Sequence, residues 1–161
     1  MSRFKTVVPV PLGEIRCLDG KLGATALPGQ LVTAVAAFAG GSSTHAQPDY
    51  PNALFTLNGA GNAAGVLIVM DQDELVTSDI SVSLPSGSHA RGHVLKAGEE
   101  VTVILGATAA VAAGALLGPA ADGKVVTVTG ATTDAAPMFS AIETAASGAT
   151  GDNARILARV L

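Results

Sequence analysis

The alternation of apolar and polar residues predicts short strands along much of this chain. Over Ile80–Leu84, Ile80, Val82 and Leu84 alternate with Ser81 and Ser83, the period of two that buries one face of a strand and wets the other. Val101–Leu105 follows the rule less strictly, and Ala154–Leu161 sets Ile156 and Val160 against Arg155 and Arg159. Apolar runs at Leu31–Phe38, Ala53–Leu57, Gly65–Met70 and Met138–Ala145 read as further strands between turn residues. From Lys96 to Val128, strand-like runs are punctuated by Gly98, Gly106, Gly114, Gly118 and Gly123. Asp122-Gly123, ahead of KVVTVT, is a dipeptide favoured where both central residues of a hairpin turn take positive φ. These signals give roughly eight or nine short strands, hence a mainly β fold: a compact β-barrel or β-sandwich-like module with Gly-rich turns. At most one or two short helices are expected, at Ala107–Ala113 and Ala135–Ala146, where alanine propensity is high but no strong amphipathic stripe forms.

The pattern also sets the organisation. In residues 1–14, Pro9 and Pro11 fix their own φ and push their predecessors toward extended conformations, so this segment reads as an extended N-terminal arm. Residues 15–161 then form a single β-rich domain. A polar loop with two prolines, GGSSTHAQPDYPN at 40–52, is predicted to lie on its surface.

Composition sharpens this picture. The chain has 161 residues, enough for one ordinary domain with a real core. Hydrophobic residues make up 48 %, yet Phe4, Phe38, Tyr50, Phe55 and Phe139 are the only aromatics, so the core is built mostly of Ala, Val and Leu. Small side chains gain less from burial than large rings do, so the domain is either modestly stable alone or gains further burial by associating with copies of itself or a partner. Charged residues are 14 %, against about 25 % in typical soluble domains, which is met either by apolar surface covered through oligomerisation or by a Ser-, Thr- and Gly-rich surface. The net charge of −4 is uneven: residues 22–90 contain no Lys or Arg, whereas Arg3, Lys5, Arg16 and Lys21 sit in the first 21 residues. A body without a basic stripe argues against nucleic acid as a partner.

Cys17 is the single cysteine, so no intrachain disulfide forms and no oxidising compartment is needed. With no His nearby in sequence to activate it, the thiol reads as passive. Pro9, Pro11 and Glu14 interrupt the apolar run of a signal peptide. The apolar run Ala107–Leu117 is too short to span a bilayer. Synthesis in the cytoplasm and no membrane contact are the expectations.

Candidate chemistry is thin. Gly59-Ala60-Gly61-Asn62-Ala63-Ala64 fits the outline of a dinucleotide-binding turn, but the β-branched run after it denies the helix N-terminus that a pyrophosphate needs. His89 and His93 have the spacing of a helical metal pair, yet Gly87 and Gly92 disfavour a helix there, and with His45 they read as solvated loop residues. Asp71, Asp73 and Glu74 alternate as calcium ligands do, without the glycine and later glutamate of a calcium loop. Ser86-Gly87-Ser88-His89 reads as a turn rather than a nucleophile with its base. No catalytic, cofactor or metal residues are assigned, and the chain is expected not to be an enzyme.

Five segments in order carry a resemblance: Leu27-Pro28-Gly29-Gln30-Leu31-Val32, Lys96-Ala97-Gly98-Glu99-Glu100-Val101, Val111-Ala112-Ala113-Gly114-Ala115-Leu116-Leu117, Asp122-Gly123-Lys124-Val125-Val126, and Ala154-Arg155-Ile156-Leu157-Ala158-Arg159-Val160-Leu161. Together they resemble the capsid decoration, or cement, proteins of tailed bacteriophages. The resemblance implies a non-enzymatic structural protein on the outer surface of the virion. It would bind the major capsid protein, commonly as a homotrimer, and tie neighbouring capsomers together against packaged DNA. The arm residues Arg3, Phe4, Lys5, Val7 and Val8 are the candidate capsid or subunit contact. The alternative is a carbohydrate- or receptor-binding β-module of a tail or cell-surface assembly, favoured by the Ser/Asn/Asp-rich loop at 42–52 and opposed by the scarcity of aromatics for sugar stacking.

Overall fold

The computed structural model describes residues 17–36, 53–57, 68–71, 81–106, 110–129, 137–147 and 154–161. They are mainly β. Five strands, β1 (Cys17–Leu22), β2 (Leu31–Ala36), β3 (Ala53–Leu57), β4 (Ile68–Met70) and β5 (His89–Val94), close into a barrel in the order β1-β3-β2-β4-β5. β1 pairs with β3 in parallel and with β5 antiparallel; the other pairs are antiparallel. A second sheet holds β6 (Glu100–Ile104), β7 (Leu116–Pro119), β8 (Val125–Thr127), β9 (Phe139–Ala141) and β10 (Arg155–Val160), in the order β6-β10-β9-β7-β8. Its edges are drawn together by a parallel bridge between Leu105 and Val125, where the Gly106 N–H donates to the Val125 carbonyl at 2.8 Å.

The two sheets are one fold used twice. Mapping β6 to β10 onto β1 to β5 in sequence order reproduces the four antiparallel pairings and their directions, and the parallel ladder of first strand with third is reduced to the single Leu105–Val125 bridge, which makes the second sheet a less fully closed barrel. Registers agree residue by residue: Cys17↔His93, His93↔Val69 and Val69↔Leu31 in the first barrel become Glu100↔Arg159, Arg159↔Ser140 and Ser140↔Leu116 in the second. The loop bridge Ala26↔Leu84 recurs as Val111↔Ala145. Turns recur as well: Gln30 N–H to Leu27 O, with Gly29 at φ 91°, matches Ala115 N–H to Ala112 O, with Gly114 at φ 84°. A residue with positive φ is required third in such a turn, which is why glycine stands at both places. The duplication leaves a short trace in the sequence, Leu-Gly-Ala-Thr-Ala at 22–26 and again at 105–109.

Alternation fills each interior. Leu22, Val32, Phe55, Ile68, Met70 and Ala90 form the first core, with Ala26 and Leu84 from the bridged loops. Val101, Val103, Leu117, Val125, Phe139, Ile156, Ala158 and Val160 belong to the second. Leu31 and Val69 point out of the first barrel, since their neighbours Val32, Ile68 and Met70 point in, and both join the second cluster. The two barrels are thereby packed together through apolar side chains.

Several expectations are corrected by these pairings. Ser81–Leu84 forms no strand: Leu84 makes a single bridge to Ala26, Pro85 follows without an N–H, and Val82 is 47 % exposed. No helix forms in the described parts of the two alanine-rich stretches. Ala110–Ala113 carries the Val111 bridge and the start of a turn, and Phe139–Ala141 is strand β9 with Phe139 buried, so tertiary pairing overrides alanine propensity. β9 is also shorter than the predicted Met138–Ala145, rejoining its neighbours only at the Ala145 bridge. Asp122-Gly123 behaves as expected, with φ of 58° and 68° between β7 and β8. The arm at 1–14 and the loop at 40–52 lie outside the described residues.

Candidate interaction surface

One face of the first barrel is consumed by the second. The Gly29 carbonyl accepts from the Ile104 N–H at 3.3 Å. The Gln30 side chain works in both directions: its Oε1 accepts from the Leu27 N–H at 2.6 Å, and its Nε2 donates to the Asp122 carbonyl at 2.5 Å. Gln30 is 5 % exposed, so these bonds satisfy a polar group that burial would otherwise penalise. Close approach of the backbones sets the residue at the far side of the contact. A Cβ on Gly123 would lie 2.4 Å from the Leu31 carbonyl oxygen, so only glycine fits. The outward row Leu31, Val69 and His93 is 0 %, 0 % and 1 % exposed, and Leu31 and Val69 lie in the apolar cluster of the second barrel.

The equivalent row of the second barrel is open. Glu100, Arg159, Ser140 and Leu116 run across β6, β10, β9 and β7, each in register with the next. Arg159 Nη2 meets Glu100 Oε1 at 2.8 Å, with the two side chains 57 % and 44 % exposed. Leu116 is exposed at 43 %. Leu161 extends the same face: its N–H donates to the Met138 carbonyl at 3.0 Å, and it is 54 % exposed. Val126 and Val128 flank Leu116 on β8 and just beyond it, half-buried, with the Val128 N–H on the Leu116 carbonyl at 2.8 Å. The face is apolar in its middle and charged at one border. This is chemistry for contact rather than for bond-making.

The residues singled out in sequence are dispersed. Arg3, Phe4, Lys5, Val7 and Val8, the Gly59–Ala64 turn, His45, Asp73 and Glu74 lie outside the described residues. Asp71 follows β4, its N–H bonded to the Arg91 carbonyl at 2.9 Å. His89 and His93 are not loop residues: both sit on β5, His89 exposed and His93 buried. Strand geometry separates residues four apart by about 13 Å, too far to share a metal ion. Gly92 misdirected the loop reading. Its missing side chain is needed inside the barrel, where a Cβ would lie 2.7 Å from Ile68 Cγ2. Ser86 is part of a turn, with its hydroxyl donating to the Gly23 carbonyl at 3.1 Å. Cys17 opens β1 in register with His93, a neighbour that sequence distance concealed. Among the described residues no group of three or more His, Cys, Asp or Glu is gathered as metal ligands, and no helix is long and apolar enough to cross a membrane.

The open row escaped the sequence reading because its members come from four strands. The repeated Leu-Gly-Ala-Thr-Ala signals a duplication, but its spacing sets Leu31 against Gly114, and only the strand pairings bring Leu31 into line with Leu116.

No protein-family model matches the chain, and no curated protein sequence does. Among solved structures it is similar to the head fiber gp8.5 N base of bacteriophage phi29, with a TM-score of 0.53 at 12 % identity, over 90 % of this chain and 92 % of that one. At this identity the likeness is one of fold, and it extends over nearly the whole of both chains.

Proposed function

We propose that the chain is a non-enzymatic structural protein of a tailed-phage virion, bound to the outer surface of the capsid, where it bridges neighbouring capsomers as a homotrimer. The observation that carries this reading is the fold shared with a phage head-fiber base across nearly the full length of both proteins. Two further features support it. The ordered motifs from Leu27-Pro28-Gly29 to the closing Ala154–Leu161 resemble those of phage decoration proteins, and the second barrel presents a sheet face of contact chemistry. The major capsid protein is the partner, and the arm with Arg3, Phe4, Lys5, Val7 and Val8 supplies part of the contact. Repetition over many sites would let a modest affinity per contact hold through avidity.

Co-sedimentation of the purified protein with expanded capsid shells tests this proposal. Saturable binding to shells is expected, weakened when residues 2–12 are deleted. Full binding by the deleted form would remove the arm from the contact. Failure of the whole chain to bind shells, together with binding to a glycan array, would replace the proposal with the carbohydrate- or receptor-binding alternative.

A further inference from the structure

We infer that the open outer face of the second barrel, centred on Leu116 and bordered by Glu100 and Arg159, is the seat of a second copy of this chain. The inference deepens the proposed assembly and rests on it for the presence of self-association.

The internal repeat supplies the argument. Leu31, Val69 and His93 of the first barrel occupy the register positions that Leu116, Ser140 and Arg159 occupy in the second. The first row is sealed against a barrel of the same topology, with Leu31 and Val69 inside that barrel's apolar cluster. This face of the fold is therefore already used once, inside the chain, to dock one barrel on another. Among the described residues its twin meets no third barrel. The surface that fits such a face is a barrel of this same fold, and other copies of the chain supply one.

The differences between the two rows suit a contact between separately folded chains. The internal row is apolar at Leu31 and Val69 and is fully buried. At the matching places the open row keeps an apolar centre in Leu116, but it has Ser140 in place of Val69 and the Arg159–Glu100 ion pair toward its border. An apolar centre with a polar rim is the anatomy of an interface whose members must also survive alone in water. Arg159 and Glu100 also present both signs of charge side by side, so an incoming copy can offer a partner to each. A permanent core would not tolerate that pair without further hydrogen bonds.

The test measures association and shell binding separately. Sedimentation equilibrium is run over a range of concentrations on the wild-type chain, on Leu116→Glu, and on Val82→Glu as a control at another exposed apolar position. Wild type and Val82→Glu are expected to self-associate alike. Leu116→Glu should raise the dissociation constant by about 30-fold or more, the scale of one interface hot spot, with an unchanged thermal unfolding midpoint at concentrations where both chains are monomeric, because Leu116 is exposed in the single chain. A wild-type chain that stays monomeric, or a Leu116→Glu chain that associates like wild type, overturns the inference. Shell co-sedimentation then tells the two readings apart. If Leu116→Glu loses shell binding while its oligomer persists, the face belongs to the capsid and the inference fails with the capsid reading intact. If wild type associates through Leu116 but ignores shells, the seam stands and the capsid reading fails.

Discussion

Thr127 shows how one side chain can sit against the grain of its surroundings. It is in register with buried Leu117, and its Oγ1 is buried without a hydrogen-bond partner. The equivalent position in the first barrel, opposite Val32, is Leu57. A hydroxyl stripped of water and left unpaired costs more than a methyl in the same space. Thr127→Val should therefore raise stability by about 1 kcal/mol, read as a higher midpoint in urea or heat with unchanged cooperativity. Two glycines with the same backbone sign give the opposite lesson. Gly114 has φ 84° and nothing within 4 Å of a would-be Cβ, whereas Gly123 has φ 68° and the Leu31 backbone in the way. Gly114→Ala should cost only the left-handed strain of about 1–2 kcal/mol. Gly123→Ala must also push the two barrels apart, and its loss should exceed that of Gly114→Ala clearly in parallel denaturation curves.

At the scale of elements, pairing decided what local pattern could not. β1 contains Asp19, Gly20 and Lys21, and β5 contains Gly92 between two polar residues, so neither shows the apolar alternation that marks a strand. They pair because each closes the barrel against the other and because their inward positions call for small residues: Ala90 is buried, and Gly92 faces Phe55 and Ile68. β7 ends in Pro119, which pairs with Val125 of β8 beyond the last residue matched to β9, where no second ladder bond is required of it. Val101–Leu105, Ala53–Leu57 and Ala154–Leu161 were legible because their burial alternates or their run is short and well bounded. The turn before β2 has a role that its sequence does not announce. Gln30 both locks that turn and reaches the carbonyl of Asp122 in the second barrel. Gln30→Ala should cost about 1 kcal/mol, since it removes two part-buried hydrogen bonds to backbone groups, and should raise amide exchange in the 121–123 turn as well as around β2.

For the molecule as a whole, the shared apolar contact means that the barrels stand or fall together. Leu31 is fully buried outside its own barrel, in the cluster of the other. Leu31→Ala should destabilise by about 2–5 kcal/mol. Hydrogen exchange should show the loss in β6 and β10 as well as in β2; a loss confined to β2 would mean that the barrels are energetically independent. The same geometry explains why little of the candidate site could be read in advance. Leu116 lies in a Gly- and Ala-rich run with nothing local to set it apart, and Ser140, Arg159 and Glu100 reach it only through three separate strand pairings.

Local pattern along the chain is enough to give a mainly β protein with glycine turns and a core built mostly of Val, Leu and Ala. Those properties follow from nearest-neighbour physics: alternation, positive φ and side-chain volume are each decided within a few residues. Pairing between distant segments settles that the strands make one five-stranded topology twice, that His93 is buried, and that one copy of an outer sheet row is covered while its counterpart is exposed. Register between distant strands sets all three, and register is a property of the closed sheet rather than of any segment within it.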